Sequence, residues 1–251
     1  MPPEKPESKK LLSVIVPAYH QEKTIVRDLQ RIESVLGQIR LRYEIICVVD
    51  GNVDQTYVRA KKAASKTIKV VGYSVNRGKG HAVRYGMKSA KGDYIAFIDA
   101  GMELNPNGLS MILEHLEWYK ADIVVGSKRH PVSKVHYPLI RRITSWGYQM
   151  LVRLLFGINV TDTQVGLKIF RKEVLQKTLP RLLVKQYAFD VEMLAVAHHL
   201  GFKKIYEAPV EIKYNFKDLT HASTLKSIYY MLWDTLAVFY RLKIRHYYDG
   251  A

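Results

Sequence analysis

The chain has 251 residues, 48% of them hydrophobic, which suits one large α/β domain, alone or with an appendage. Its formal net charge of +16 points to an anionic partner (nucleic acid, acidic lipid or a phosphorylated substrate), with a merely soluble basic surface as the plain alternative. The single cysteine, Cys47, excludes an internal disulfide and fits a reducing compartment. No secretory leader is visible, and no apolar stretch reaches the roughly 18–20 residues needed to span a bilayer.

Taken in chain order, residues 1–10 are polar and read as a loose terminus. Leu11–Val16 reads as a buried strand stopped by Pro17. Ile25, Leu29, Ile32, Val35 and Leu36 recur at helical spacing over residues 21–38. Tyr43–Val49 is predicted as a second strand ending at Asp50-Gly51-Asn52, with Cys47 reading as a core side chain rather than a nucleophile. Asp54 is placed to cap a helix running to about Lys66. Ile68–Tyr73 is a third strand, Gly78–Ala90 a helix, Tyr94–Ile98 a fourth strand, Pro106–Tyr119 a helix and Asp122–Ser127 a fifth strand. Strands alternating with helices predict a mostly parallel central sheet with helices on both faces.

Charged groups gather where strands end. Pro17-Ala-Tyr-His-Gln-Glu22 follows the first strand, Asp50-Gly-Asn-Val-Asp54 the second, and Asp99-Ala-Gly-Met-Glu103 the fourth. In open α/β sheets ligands bind beyond the carboxyl ends of strands, so carboxylates there can meet a base, a ribose or a metal ion. Any one of them can also be an ordinary turn or cap residue. Asn76-Arg-Gly-Lys-Gly80 opens a helix with glycines, which suits either close approach of a phosphate or a tight turn.

Val14-Ile-Val-Pro-Ala-Tyr with Glu22, Val-Val-Asp50-Gly-Asn-Val-Asp54, Asn76-Arg-Gly-Lys-Gly-His-Ala and Gly92-Asp-Tyr-Ile-Ala-Phe-Ile-Asp99 together resemble a family 2 glycosyltransferase of GT-A fold. Val124–Arg129, Arg141-Arg142 with Ser145, Asp162–Arg171, Phe189-Asp-Val-Glu192 and Glu207-Ala-Pro-Val-Glu-Ile resemble its dolichol-phosphate mannose synthase branch. The resemblance spans roughly residues 12–215. It implies an inverting hexose transfer from a nucleotide-sugar, GDP-mannose favoured over UDP-glucose, to a polyprenyl phosphate, with a divalent cation (Mg or Mn). It implies that Pro17, Tyr19, Glu22 and Asp50 line the nucleobase and ribose pocket, with Lys79, Asp99 and Ala100 close to the nucleotide-sugar. Asp99, Arg129, Arg141 and Glu192 are implied as catalytic groups, and Arg129, Arg141 and Arg142 as holders of phosphate. The chain departs from the family where a second Asp is usual, at Gly101, and where a Gln is usual, at Glu103. Asp99 and Glu103 are therefore the expected metal ligands, with weakened metal dependence as the rival. Val49 halves the usual Asp pair after the second strand, and a usual Ser-Lys is replaced near His221-Ala-Ser-Thr224.

No acidic residue lies between Asp122 and Asp162, a stretch that holds Lys128, Arg129, Lys134, Arg141, Arg142 and Arg153 among apolar and aromatic residues. With no nucleic-acid module in sight, a membrane lipid phosphate is the expected partner and nucleic acid is not. In the tail (residues 221–251, after a domain at 11–220), Ile228, Met231, Leu232, Thr235, Phe239 and Leu242 share one helical face. That pattern serves equally an interfacial helix on the cytoplasmic face of a membrane or a helix packed on the protein's own core. A phosphate acceptor is ionised at neutral pH and needs no strong base; a hydroxyl acceptor would need one, with Asp190 or Glu192 as candidates. A degenerate nucleotide-sugar binder is the remaining alternative, motivated by Gly101 and Val49.

Overall fold

The computed structural model describes residues 8–133, 139–186, 188–212 and 225–250, with side chains throughout except at 8–9, 139–144 and 225–226. Its centre is a seven-stranded sheet. The strands are β1 (Ser8–Ala18), β2 (Leu41–Asp50), β3 (Ile68–Tyr73), β4 (Tyr94–Ile98), β5 (Ile123–Ser127), β6 (Leu167–Arg171) and β7 (Ile205–Pro209), in spatial order β3-β2-β1-β4-β6-β5-β7. Only β6 runs antiparallel to its neighbours, β4 and β5. The carboxyl ends of β1, β2, β4 and β5 therefore share one rim with the start of β6.

Strands covered on both faces should be largely apolar, as the buried stretches Val14–Val16 of β1, Ile45–Val49 of β2, all of β4 and Ile123–Val125 of β5 are. Alternation then sorts their side chains between two cores. Val14 and Val16 of β1 face one core with Ile25, Leu29 and Ile32 of α1 (Ile25–Leu36) and Leu109, Ile112 and Leu116 of α4 (Gly108–Trp118). Ile15 faces the other, with Ala82 and Val83 of α3 (Lys79–Ser89) and residues of α5 (Leu139–Phe156), α6 (Lys172–Thr178) and α7 (Phe189–His199). A short α2 (Thr56–Lys62) flanks β3. Cys47 is fully buried and burial pushes its thiol up to about 12, as a core side chain requires.

The tail belongs to the second core. Helix α8 (Leu225–Phe239) packs on α5 and α7, and with the π-helical turn that follows it (Tyr240–Ile244) and the segment beyond, it places Thr235, Val238, Leu242 and Tyr248 out of solvent. The Thr235 and Tyr148 hydroxyls lie 2.8 Å apart, joining α8 to α5. The inward face of the tail thus serves the protein's own core. The outward face, with Tyr229, Trp233, Leu236 and Tyr240, remains exposed. No helix among the described residues is long and apolar enough to cross a membrane.

Candidate active site at the carboxyl rim of the sheet

Asp99 follows the last residue of β4. Its amide donates to the Gly166 carbonyl at 2.9 Å, because Ile98 pairs with Leu167 and brings the start of β6 alongside. A methyl group added at Gly166 would lie 1.7 Å from Asp99 Oδ2, so only glycine leaves room for that carboxylate. Oδ2 accepts a 2.7 Å hydrogen bond from Lys79 Nζ on the first turn of α3. Oδ1 is buried and has no protein partner. Burial works to lower the Lys79 ammonium, but the carboxylates of Asp99, Asp190 and Glu103 outweigh it and hold Lys79 above the ordinary lysine value.

Beyond Asp99 the chain turns through Ala100 and Gly101. Gly101 has φ +89°, a conformation that strains any residue with a Cβ, and its amide donates to Asp28 Oδ2 at 3.1 Å. The position where the resemblance leads one to expect a second Asp is therefore a backbone corner fixed from below by a fully buried α1 carboxylate. Glu103 lies just past this corner and is exposed. Among the described residues no group of three His, Cys, Asp or Glu side chains is poised for a metal. The unpartnered Asp99 Oδ1, with Glu103 nearby in the chain, nonetheless offers hard oxygen donors of the kind Mg or Mn takes.

The loops around Asp99 brace one another. Asp50, 3% exposed, accepts from the Arg77 amide at 2.8 Å, the Gly78 amide at 3.0 Å and the Asn76 side chain at 3.2 Å. Its carboxylate thus pins the loop that leads into α3, a structural duty that the sequence assigned instead to a base or ribose. The glycines there approach the protein's own chain, since a Cβ on Gly80 would meet the Phe189 ring at 2.6 Å. Glu22 accepts from the Gln55 amide at 3.1 Å and Asp54 from the Glu22 amide at 3.4 Å, tying the β1–α1 loop to the β2–α2 loop. Burial favours a raised Asp54 carboxyl, but hydrogen bonds from Thr56 and Glu22 and the nearby His20 leave it below the usual range. Pro17 is buried in β1, whereas Tyr19 is exposed at the rim, edge-on to His20. Arg129 follows β5, its amide on Ser127 Oγ at 3.2 Å; the Lys128 amide donates to Asp162, which is itself buried. The side chains of Arg141 and Arg142, and residues 221–224, lie outside the described residues.

Glu192 requires correction. It is fully buried and accepts from the amides of Leu183 (3.0 Å) and Val184 (2.8 Å) and from the Tyr248 hydroxyl (2.7 Å). Burial raises its carboxyl above the ordinary value, partly offset by those donors and by Arg241. It fastens the end of the chain to α7 and does not reach the rim. Asp190, also expected as a candidate base, is paired with Lys168 at 2.5 Å inside the protein. Lys168 itself went unremarked in the sequence; a lysine inside the apolar run Leu167–Phe170 was the available signal.

Residues 13–179 match the family described as glycosyl transferase family 2, and the chain belongs to that family. It is 36% identical over 205 residues to the dolichyl-phosphate beta-glucosyltransferase of Drosophila melanogaster, a match covering 75% of this chain and 63% of the fly protein. To the Homo sapiens protein of the same name it is 33% identical over 221 residues, covering 82% and 67%. The match thus takes in less than two thirds of the fly protein. Among solved structures, glucosyl-3-phosphoglycerate synthase from Mycobacterium tuberculosis, in complex with uridine-diphosphate, superposes with a TM-score of 0.69 at 17% identity, covering 92% of this chain and 79% of that one. The last likeness establishes the fold, the GT-A arrangement of a mostly parallel sheet with helices on both faces.

Proposed function

We propose that this protein moves a hexose, glucose in the first instance, from a nucleoside-diphosphate sugar to a polyprenyl phosphate at a membrane surface. The observation that carries the reading is the Lys79–Asp99 pair at the carboxyl rim of β4, with one Asp99 oxygen left without a partner. The relatives' names favour glucose over the mannose expected from the sequence. They also favour a lipid phosphate as acceptor.

Pro17, Tyr19, Glu22 and the loop held by Asp50 would surround the base and ribose, and Lys79, Asp99 and Ala100 would face the diphosphate. A divalent cation, held by Asp99 and Glu103, would neutralise diphosphate charge when bound. Mn2+ or Mg2+ accompanies the mycobacterial fold relative in several of its structures. Lys79, and Arg129 at the end of β5, would stabilise the departing diphosphate by charge and hydrogen bonding. Arg141 and Arg142 would orient the acceptor phosphate, whose oxygen attacks the anomeric carbon in line with the leaving group, inverting it. No side chain needs to take a proton. The hydroxyl-acceptor alternative loses support, because Asp190 and Glu192 are both buried and engaged.

Membrane contact would fall to the outward face of α5 and α8. Trp146, Met150 and Leu154, the last 81% exposed, recur every four residues along α5, and Tyr229, Trp233 and Leu236 of α8 and Tyr240 of the turn after it are exposed as well. Exposed aromatics of this kind, with Lys243 and Arg245 close by in a chain of net charge +16, suit the headgroup region of an anionic bilayer, here on its cytoplasmic face.

The test is incubation with a short polyprenyl phosphate and either UDP-glucose or GDP-mannose, with and without manganese. Lipid-linked glucose from UDP-glucose is the expected product. Nucleotide binding with no lipid product would point to another acceptor, and no donor binding at all would leave the degenerate binder.

A further inference from the structure

Behind the rim lies a second ion pair that the transfer reaction does not touch. Lys168 sits opposite Phe97 in the β4–β6 register, is fully buried, and donates to Asp190 Oδ1 at 2.5 Å and to the Val165 carbonyl at 2.6 Å. Asp190, on the first turn of α7, is 6% exposed. Both ammonium groups lie near the Phe97 ring, Lys168 Nζ at 5.1 Å and Lys79 Nζ at 5.6 Å from its centroid.

Taking charges out of water is costly, and an apolar pair of similar volume is often as stable or more so. A lysine placed in the centre of a sheet needs a reason other than stability. Two routes lead from it to Asp99. Along one, Lys168 fixes the Val165 carbonyl; the next residue, Gly166, accepts the Asp99 amide and walls its carboxylate. Along the other, the negative charge of Asp190 also acts on Lys79, which holds Asp99 Oδ2.

We propose that Lys168 and Asp190 are a positioning pair for the proposed transfer: they set the orientation of Asp99 and Lys79 from behind without meeting the substrate. The inference rests on the transferase reading above. The pair fixes the acid and the cation by two routes, so the Asp99 carboxylate stays where the donor needs it. Misplacing such a group by about 1 Å can cost on the order of 10²-fold in rate.

The test compares Asp190→Asn with the double replacement Lys168→Met, Asp190→Leu. The single variant leaves Lys168 buried without its counter-charge and loses stability for that reason alone. The double variant removes both charges and should melt close to wild type. If the pair positions the site, the double variant folds but loses about 10²-fold in kcat, with the KM for the donor changed far less. In 15N-lysine-labelled protein its Lys79 ammonium signal, assigned with Lys79→Arg, moves or exchanges faster. A double variant with wild-type kcat overturns the proposal, as does an unchanged Lys79 signal. Should wild type show no transfer at all, the transferase reading fails, and the Lys79 signal alone decides whether the pair positions the rim.

Discussion

Replacing Gly166 by Ala puts one methyl group where Asp99 Oδ2 now sits, 1.7 Å from the new carbon, with Asp99 Cγ at 2.2 Å. The backbone at Gly166 is not in the left-handed region, so the substitution acts through this contact alone. Asp99 must rotate away, and its 2.7 Å bond to Lys79 breaks. Both partners keep 38% of their side-chain surface in solvent, so screening limits the loss of the pair to about 0.5–1 kcal/mol. Forcing Asp99 off its rotamer adds about 0.5–1.5 kcal/mol. The expected total is about 1–2.5 kcal/mol of stability, beside an expected loss of roughly 10²-fold in turnover from a displaced carboxylate. Urea titration and transfer of labelled glucose to polyprenyl phosphate measure the two. Gly147→Ala is the control: it lies in α5 with open space around it, and Ala there should raise stability by about 0.5–1 kcal/mol at unchanged turnover. Gly166→Ala with wild-type turnover would refute the placement of Asp99 at the reacting centre.

Glu192→Ala strands two backbone amides and the Tyr248 hydroxyl inside the protein and should cost at least about 3 kcal/mol, read as a lower urea midpoint. The Asp54 carboxyl is held below its unfolded value, so its stabilising share is present above about pH 4 and fades as the pH falls through the folded-state value. The gap in stability between wild type and Asp54→Asn should therefore be full at pH 6 and close in acid; a gap independent of pH would contradict the assigned hydrogen bonds. Cys47 should resist alkylation at pH 8 in the native protein and react once urea unfolds it, because its thiol is pushed up to about 12. Trp233→Ala with Tyr240→Ala should weaken flotation with anionic vesicles several-fold while leaving the melting temperature within a few degrees, since both side chains are exposed.

The strand–helix alternation was legible because each of the early strands is an unbroken apolar run, and the rim carboxylates because they close those runs. The later half was harder. β6 reads as a strand only with difficulty, since its central lysine breaks the apolar pattern, and its antiparallel course depends on partners far away in sequence. Asp50 and Glu192 look alike as candidate site residues in the chain. Only tertiary contacts reveal that both turn inward, Asp50 onto the amides of Arg77 and Gly78 and Glu192 onto those of Leu183 and Val184. Asp28 carried no signal at all, because a lone acid on an amphipathic helix is usually a solvated one, and its buried duty under Gly101 follows from the corner above it. The two faces of α8 were visible in its periodicity, but which one met the protein was settled by the hydroxyl contact to Tyr148 and the burial of Val238 and Leu242.

The way α8 and Tyr248 complete the second core also bears on biosynthesis. Synthesis proceeds at about 5–20 residues per second, and the N-terminal parts of a chain can begin to fold first. Among the described residues the core on the α1 and α4 side draws on nothing beyond residue 212, whereas the other includes Val238, Leu242 and Tyr248. One side of the sheet therefore closes only after the segment through Tyr248 has been made. During that interval the cluster that holds Phe97, Phe170 and Phe189 lacks Val238, Leu242 and Tyr248, and a nascent chain stalled before them would offer an incomplete core to chaperones.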